Sequence, residues 1–215
     1  MHIIDIDRDI IGINKKIAQR NRELFDKHGV VAVNIMGAIG SGKTIMIEAL
    51  AKRLKDKINM GSIAGDVVSD LDAKRIRSAG IETVAINTGK ECHLDAHLIE
   101  HSLENLNLHK INLLLIENVG NLICPTDFDL GAHKNVVVVS SSEGDDTIEK
   151  HPMIFMISEV CIINKADIAD AVGADIEKMA SDAKRINPGI KVFKTSFKTG
   201  AGVDEVVGWI VSLVK

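Results

Sequence analysis

At 215 residues, 46% apolar and 26% charged, the chain is long enough for one sizeable core and reads as a single α/β domain. A formal net charge of −4 gives no global basic field for nucleic acid or an anionic membrane, and 3% aromatics with no tyrosine argue against base stacking. With no signal-like start, no apolar run of about 18 residues and three widely spaced cysteines, the expected setting is a reducing cytoplasm, without a membrane or a disulfide framework.

Residues 12–28 are rich in helix formers and Gly29 is a plausible stop, so residues 1–29 read as a helical N-terminal extension. "VVAVNIM" (30–36) reads as a buried strand, and "TIMIEALAKRLKDK" (44–57) as a helix with an apolar face. "GSIAGD" (61–66) ends on an acid and is followed by helical "DLDAKRIRSAG"; "ETVAIN" (82–87) is another strand. A helix is expected over 95–108, then apolar strands at 111–118, 135–142 and 159–165. A helix over 174–186, a strand over 191–196 and a helix over 203–214 close the chain. Continuous β-branched runs separated by helices predict a doubly wound, mainly parallel sheet flanked by helices, the P-loop NTPase class.

"GAIGSGKT" matches G-x-x-x-x-G-K-[ST] in full, from Gly37 through Ala38, Ile39, Gly40, Ser41, Gly42 and Lys43 to Thr44. Small residues let backbone N–H groups converge on phosphate oxygens, and the helix that starts here adds its positive end. Lys43 is expected to reach the β- and γ-phosphates, and the Thr44 hydroxyl to ligate Mg²⁺. "IINKAD" carries Asn164, Lys165 and Asp167 after an apolar strand. A carboxylate there accepts from guanine N1–H and its amino group together, which adenine cannot supply, so GTP and GDP are the expected ligands. Asn164 and Lys165 are expected to brace the loop and pack on the ring. "TSFKTGAG" (195–202) resembles the guanine-lining loop of GTPases, with Ser196 as the contact.

Glu117 ends "LLLIE" where an acid holds Mg²⁺ directly or through water, and Gly120 follows with a backbone N–H for the γ-phosphate. Asp66, and Asp72 if it is not a solvated helix acid, are further candidates for Mg²⁺ or water positioning. No glutamine of the small-GTPase kind is evident, so intrinsic hydrolysis is expected to be slow.

"ECHLDAHLIEH" sets Cys92 and His93 side by side, with His97 and His101 at four-residue steps. On a helix such steps drift by only about 40°, so His93, His97 and His101 would follow one side. Cys124 lies in "NLICPTD", and loops after neighbouring parallel strands can bring the two segments together. Thiolates with imidazole suit Zn²⁺ or Ni²⁺. Three ligands leave the shell open to water or to a second subunit. Cys161, inside "EVCIINK", reads as a core residue.

Taken together, "GAIGSGKT", "TGKECHLDAHL", "IENVGNLICP", "DFDLG", "EGDDTIEKHP" and "INKADIA" resemble the hydrogenase-maturation nickel-insertion GTPases, the HypB family, from about residue 30 onward. The resemblance implies a SIMIBI-class GTP-dependent homodimer with Cys92, His93 and Cys124 in an interface metal site. It also implies additional metal binding at His97 and His101, and Ni²⁺ delivery to the [NiFe]-hydrogenase large subunit with a HypA-like zinc partner. Lys150 either reaches the neighbouring subunit's nucleotide or is a solvated helix lysine. The first 28 residues hold no cysteine and only His2 and His28, so no N-terminal nickel store is expected. Other readings are a urease-type accessory GTPase, a GTP-gated dimer with purely structural zinc, and a small-molecule P-loop kinase.

Overall fold

The computed structural model describes residues 6–67 and 69–214, so His2 lies outside the described residues. In chain order the elements are α1 (Ile6–His28), β1 (Val31–Met36), α2 (Lys43–Leu54), β2 (Met60–Asp66), α3 (Leu71–Ser78), β3 (Glu82–Asn87), α4 (Ala96–Leu103) and β4 (Leu113–Glu117). The second half adds β5 (Lys134–Ser140), α5 (Thr147–Lys150), α6 (Pro152–Met156), β6 (Val160–Asn164), α7 (Ala169–Val172), α8 (Ile176–Ile186), β7 (Lys191–Lys194) and α9 (Val203–Leu213).

The strands form one seven-stranded sheet, order β3-β2-β4-β1-β5-β6-β7, with every pairing parallel. Strands buried on both faces need apolar side chains at every position rather than alternation. Accordingly Leu113–Ile116 and Val136–Val139 are fully buried. On one face α2, α3 and α9 pack Met46, Ile47, Leu50, Ile76 and Ile210 onto the sheet. The other face is covered in two parts, by α1 with α4 around Phe25, Leu94 and Ile99, and by α6 with α8 around Phe155 and Met179.

The N-terminal helix is part of this packing. Phe25 is fully buried in the α1–α4 cluster, a burial worth roughly 2–3 kcal/mol. Asn14 and Asn21 tie α1 to the body through hydrogen bonds to Asp129 O, Ala96 N, Ala96 O and Leu130 O. Gly29 (φ 65°) ends α1 as expected, with Val30 N bonded back to Phe25 O and Gly29 N to Asp26 O.

Several boundaries differ from the sequence expectation. The first helix begins at Ile6 rather than 12, and α4 stops at Leu103, before the polar "ENLN" run whose side chains compete for backbone groups. β5 stops at Ser140 because Ser140 and Glu143 form a reciprocal cap on the following tight turn. α5, α6 and α7 are too short for periodicity to reveal.

Candidate nucleotide cleft and metal centre

The chain leaves β1 at the point where the sheet order diverges, β4 to one side and β5 to the other, the position at which doubly wound sheets bind ligands. The turn there is set by close approach. A Cβ on Gly37 would lie 2.2 Å from Val138 O, and one on Gly42 (φ 113°) 2.1 Å from Asn164 Nδ2. Asn164 earns that proximity: its amide donates to Ser41 O (2.9 Å), while its carbonyl accepts from Phe197 N (3.3 Å) and Thr195 Oγ1 (3.4 Å). One buried side chain thus joins the phosphate loop, the "NKAD" turn and the "TSFKTGAG" loop. A Gly42→Ala substitution combines strain with a clash, costing about 1–3 kcal/mol, and should weaken binding of a fluorescent GDP analogue at least about tenfold in an equilibrium titration.

Beside the phosphate loop lies a cleft of about 380 Å³, walled by Gly40, Gly42, Lys43 and Thr44, by Asp66, Asp72 and Arg75, and by Glu117. Lys43 is buried, its ammonium on Gly37 O (3.0 Å) and Ala38 O (3.1 Å). Burial pulls its pKa down, while Glu117 and Asp72 act to raise it. Thr44 Oγ1 donates to Glu117 Oε1 (2.7 Å), and Glu117 Oε2 is buried without a partner. Burial raises the Glu117 carboxyl to about 7, against the opposing pull of Lys43 and Thr44. An orphaned buried carboxylate oxygen beside a hydroxyl fits a hard, oxygen-seeking cation, so Thr44 and Glu117 would hold Mg²⁺. Asp66 accepts from Val67 N (2.6 Å) and from the Ser69 hydroxyl, at the cleft edge.

The base-side residues are placed unequally. Asp167 is exposed, with no hydrogen-bond partner among the described residues. Lys165 takes a left-handed conformation (φ 59°) and reaches Ser142 Oγ (3.2 Å). Ser196 is buried, and its hydroxyl accepts from Thr199 N (3.1 Å), which shapes the loop from inside. Lys150 is exposed and paired with Asp146 (2.5 Å).

Cys92, His93 and Cys124 come together. Their ligand atoms lie within 4.8 Å of one another, and Cys92 Sγ is 3.8 Å from His93 Nδ1. Ligands about 2.3 Å from a tetrahedral ion are roughly 3.8 Å apart, so little movement is needed to close on a metal. The neighbouring Cys124 thiol, then partial burial, raise the Cys92 pKa. Two thiols that resist a shared negative charge are relieved by a soft dication. Among the described residues the group has three members, which leaves a fourth position open.

His97 and His101 stand apart from this group. The expected run of three histidines along one helix breaks because Asp95 caps α4, its carboxylate accepting from Leu98 N (2.8 Å), and His93 precedes the cap. His93 instead stacks on Phe128 (3.9 Å, 24°), while His97 and His101 meet edge to face at 4.4 Å on α4. Cys161 is fully buried in β6, as expected, and burial pushes its thiol up.

Sequence reasoning missed the asparagines that hold the centre. Asn118 Oδ1 accepts from Leu94 N (3.1 Å), beside His93, while its amide donates to Asn34 Oδ1 (3.2 Å). Asn121 N donates to Gly37 O (3.1 Å), and its side chain accepts from Ile123 N (2.7 Å) and Cys124 N (3.3 Å). A Cβ on Gly120 would lie 3.0 Å from Ile39 N. The signal available was Asn34 inside an otherwise apolar strand, since a buried amide demands a partner.

Residues 31–194 match the model described as "CobW/HypB/UreG, nucleotide-binding domain". The "Probable hydrogenase maturation factor HypB" of Methanocaldococcus jannaschii is 59% identical over 213 residues, covering 99% of this chain and 96% of that protein. The chain belongs to the HypB family. The Escherichia coli K12 HypB is 36% identical, over 97% of this chain and 72% of its own length. Among solved structures, HypB of Archaeoglobus fulgidus superposes with a TM-score of 0.90 at 52% identity, covering 95% of this chain and 100% of that one. A Helicobacter pylori HypB solved in complex with nickel gives 0.88 at 35%, covering 93% and 94%. The LAO/AO transport system kinase, at 14% identity and a TM-score of 0.60, shares the fold.

Proposed function

We propose that this HypB-family chain is a Mg²⁺-dependent GTPase that carries Ni²⁺ or Zn²⁺ at Cys92, His93 and Cys124 and hands nickel on during [NiFe]-hydrogenase maturation. The observation that carries the reading is the thiol–imidazole group one short loop from the phosphate-binding turn. The nucleotide is the switch and the soft metal the cargo.

The coupling runs through Asn121. The γ-phosphate of GTP draws in the Gly120 N–H, which packs on Ile39 of the phosphate loop. Asn121 is bonded to Gly37 at one end and to Cys124 N at the other, so a shift in the phosphate loop moves a metal ligand. Mg²⁺, when bound, neutralises charge on the phosphates. Lys43 holds phosphate oxygens, Asp66 orients the attacking water, and Asp167 selects guanine. Ile39 (86% exposed) and Ile123 (64% exposed) leave apolar side chains on the two loops, which favours a second copy closing over the site in the GTP state and completing the metal shell. A HypA-like zinc protein and the hydrogenase large subunit are the proposed partners, in a cytoplasm that keeps the thiols reduced.

Titrating Ni²⁺ and Zn²⁺ against protein loaded with GDP or with a non-hydrolysable GTP analogue, with sizing of each sample, tests the switch. Affinity and association state should differ between the nucleotides, and Asn121→Ala should abolish most of the difference in metal affinity. Equal affinities and equal association in both states would refute it.

A further inference from the structure

The cleft has a second cation that the reading above leaves unused. Arg75 on α3 lines the cleft with Lys43, and these are the cations among its described lining residues. Lys43, the phosphate-holding cation of the reading above, is bonded to Gly37 O and Ala38 O. Arg75 approaches from the α3 wall with its side chain 45% exposed. Its guanidinium is parked on acids: Nε and Nη2 form a fork on Glu48 of α2 (3.0 and 2.8 Å), and Nη1 lies 3.5 Å from Asp72. Partly exposed pairs of this kind are screened by solvent, and a polyanion in the cleft offers the guanidinium a more highly charged partner.

The chemistry of the cleft has room for such a group. The chain's sole glutamine, Gln19, lies on α1 with its amide on Glu23, so no glutamine can orient water at the phosphate. Three carboxylates, Asp66, Asp72 and Glu117, share the cleft, so a positive group in addition to Lys43 and a Mg²⁺ at Glu117 favours the charge on the transferring phosphoryl group.

The geometry points to Arg75 as an arginine finger supplied in cis, released from Glu48 and Asp72 when the nucleoside triphosphate enters and laid against the γ-phosphoryl group. This rests on the reading of the cleft as a GTPase site. Water oxygen bonds to the γ-phosphorus as the bond from phosphorus to the β–γ bridging oxygen breaks. That electron pair leaves with GDP, one proton of the water stays on the phosphate and the other passes to solvent. Arg75 neutralises charge on the transferring group and exchanges no proton, because a guanidinium stays charged throughout.

The test uses the full chain with Mg²⁺. Arg75→Ala should lower single-turnover GTP hydrolysis by about 10²-fold or more, leave the Kd for GDP within about threefold, and prevent formation of the GDP–fluoroaluminate complex. Because the side chain is half exposed the variant should fold, and millimolar guanidinium added to it should restore part of the lost rate. Hydrolysis within about threefold of wild type, or a fluoroaluminate complex formed as readily, would overturn the assignment. A wild-type protein that binds but does not hydrolyse GTP would instead refute the GTPase reading itself, so the two failures are distinguishable.

Discussion

Glu117→Gln should abolish GTP turnover and at the same time stabilise the nucleotide- and metal-free protein at alkaline pH. The two effects share one cause. Glu117 is 3% exposed at the end of β4, with one oxygen on Thr44 and the other unpartnered, a position suited to a cation and poor for a bare carboxylate. With its folded value at about 7 and its ordinary value at 4.5, the fold binds this proton more tightly than the unfolded chain does. The stabilisation is fully present below the unfolded value and is lost as pH rises through about 7. At pH ~8 the ionised side chain therefore costs on the order of 1–3 kcal/mol, which the neutral amide avoids. Differential scanning calorimetry of chelator-treated protein should show Glu117→Gln melting about 3–8 °C above wild type at pH ~8, the two converging near pH ~5. Turnover with Mg²⁺ should fall at least about 10²-fold. A variant no more stable than wild type at pH ~8 would remove the charge argument.

Cys124→Ala and Cys92→Ala should each weaken Ni²⁺ and Zn²⁺ binding by about 10²-fold or more. Complete thiolate and imidazole shells bind Zn²⁺ with about 10–16 kcal/mol, so one ligand accounts for roughly 3 kcal/mol, or about 10²-fold. The thiols at Cys92 and Cys124 face each other with His93 between reach of both, whereas Cys161 lies in the core of β6. Cys161→Ala should therefore lower the melting temperature while leaving metal affinity unchanged. His97→Ala with His101→Ala should spare the tight site too, because the pair sits outside the three-ligand group. Isothermal titration with each metal, at fixed nucleotide, reads the affinities, and scanning calorimetry reads the Cys161→Ala melting temperature. Full affinity in Cys124→Ala would dissolve the site.

The phosphate-binding turn and the parallel sheet were legible in the linear chain because each depends on local chemistry; the ligand types of the metal group were legible too, but their meeting was not. "GAIGSGKT" needs small residues in consecutive order, and a strand covered on both faces needs an unbroken apolar run such as Leu113–Ile116. Cys92 follows β3 and Cys124 follows β4, and the sheet sets β2 between those strands, so the two segments meet across an intervening strand and not from neighbouring ones as expected.

His93 shares no face with His97 for a local reason, since Asp95 caps α4 by accepting from Leu98 N and the helix begins after it, near the expected start. Tertiary packing decided the rest. Asn118 and Asn121 carry nothing in the sequence to mark them as ties between the phosphate loop and the metal ligands. Arg75, read along the chain, is one basic residue on an amphipathic helix. Only the packing of α3 beside α2 sets it in the cleft. The sequence by itself determined which chemistries the chain holds, because residue type and local spacing suffice for that. Which of them act together was decided by long-range contacts, since hydrogen bonds and ion pairs form between atoms close in space whatever their separation along the chain.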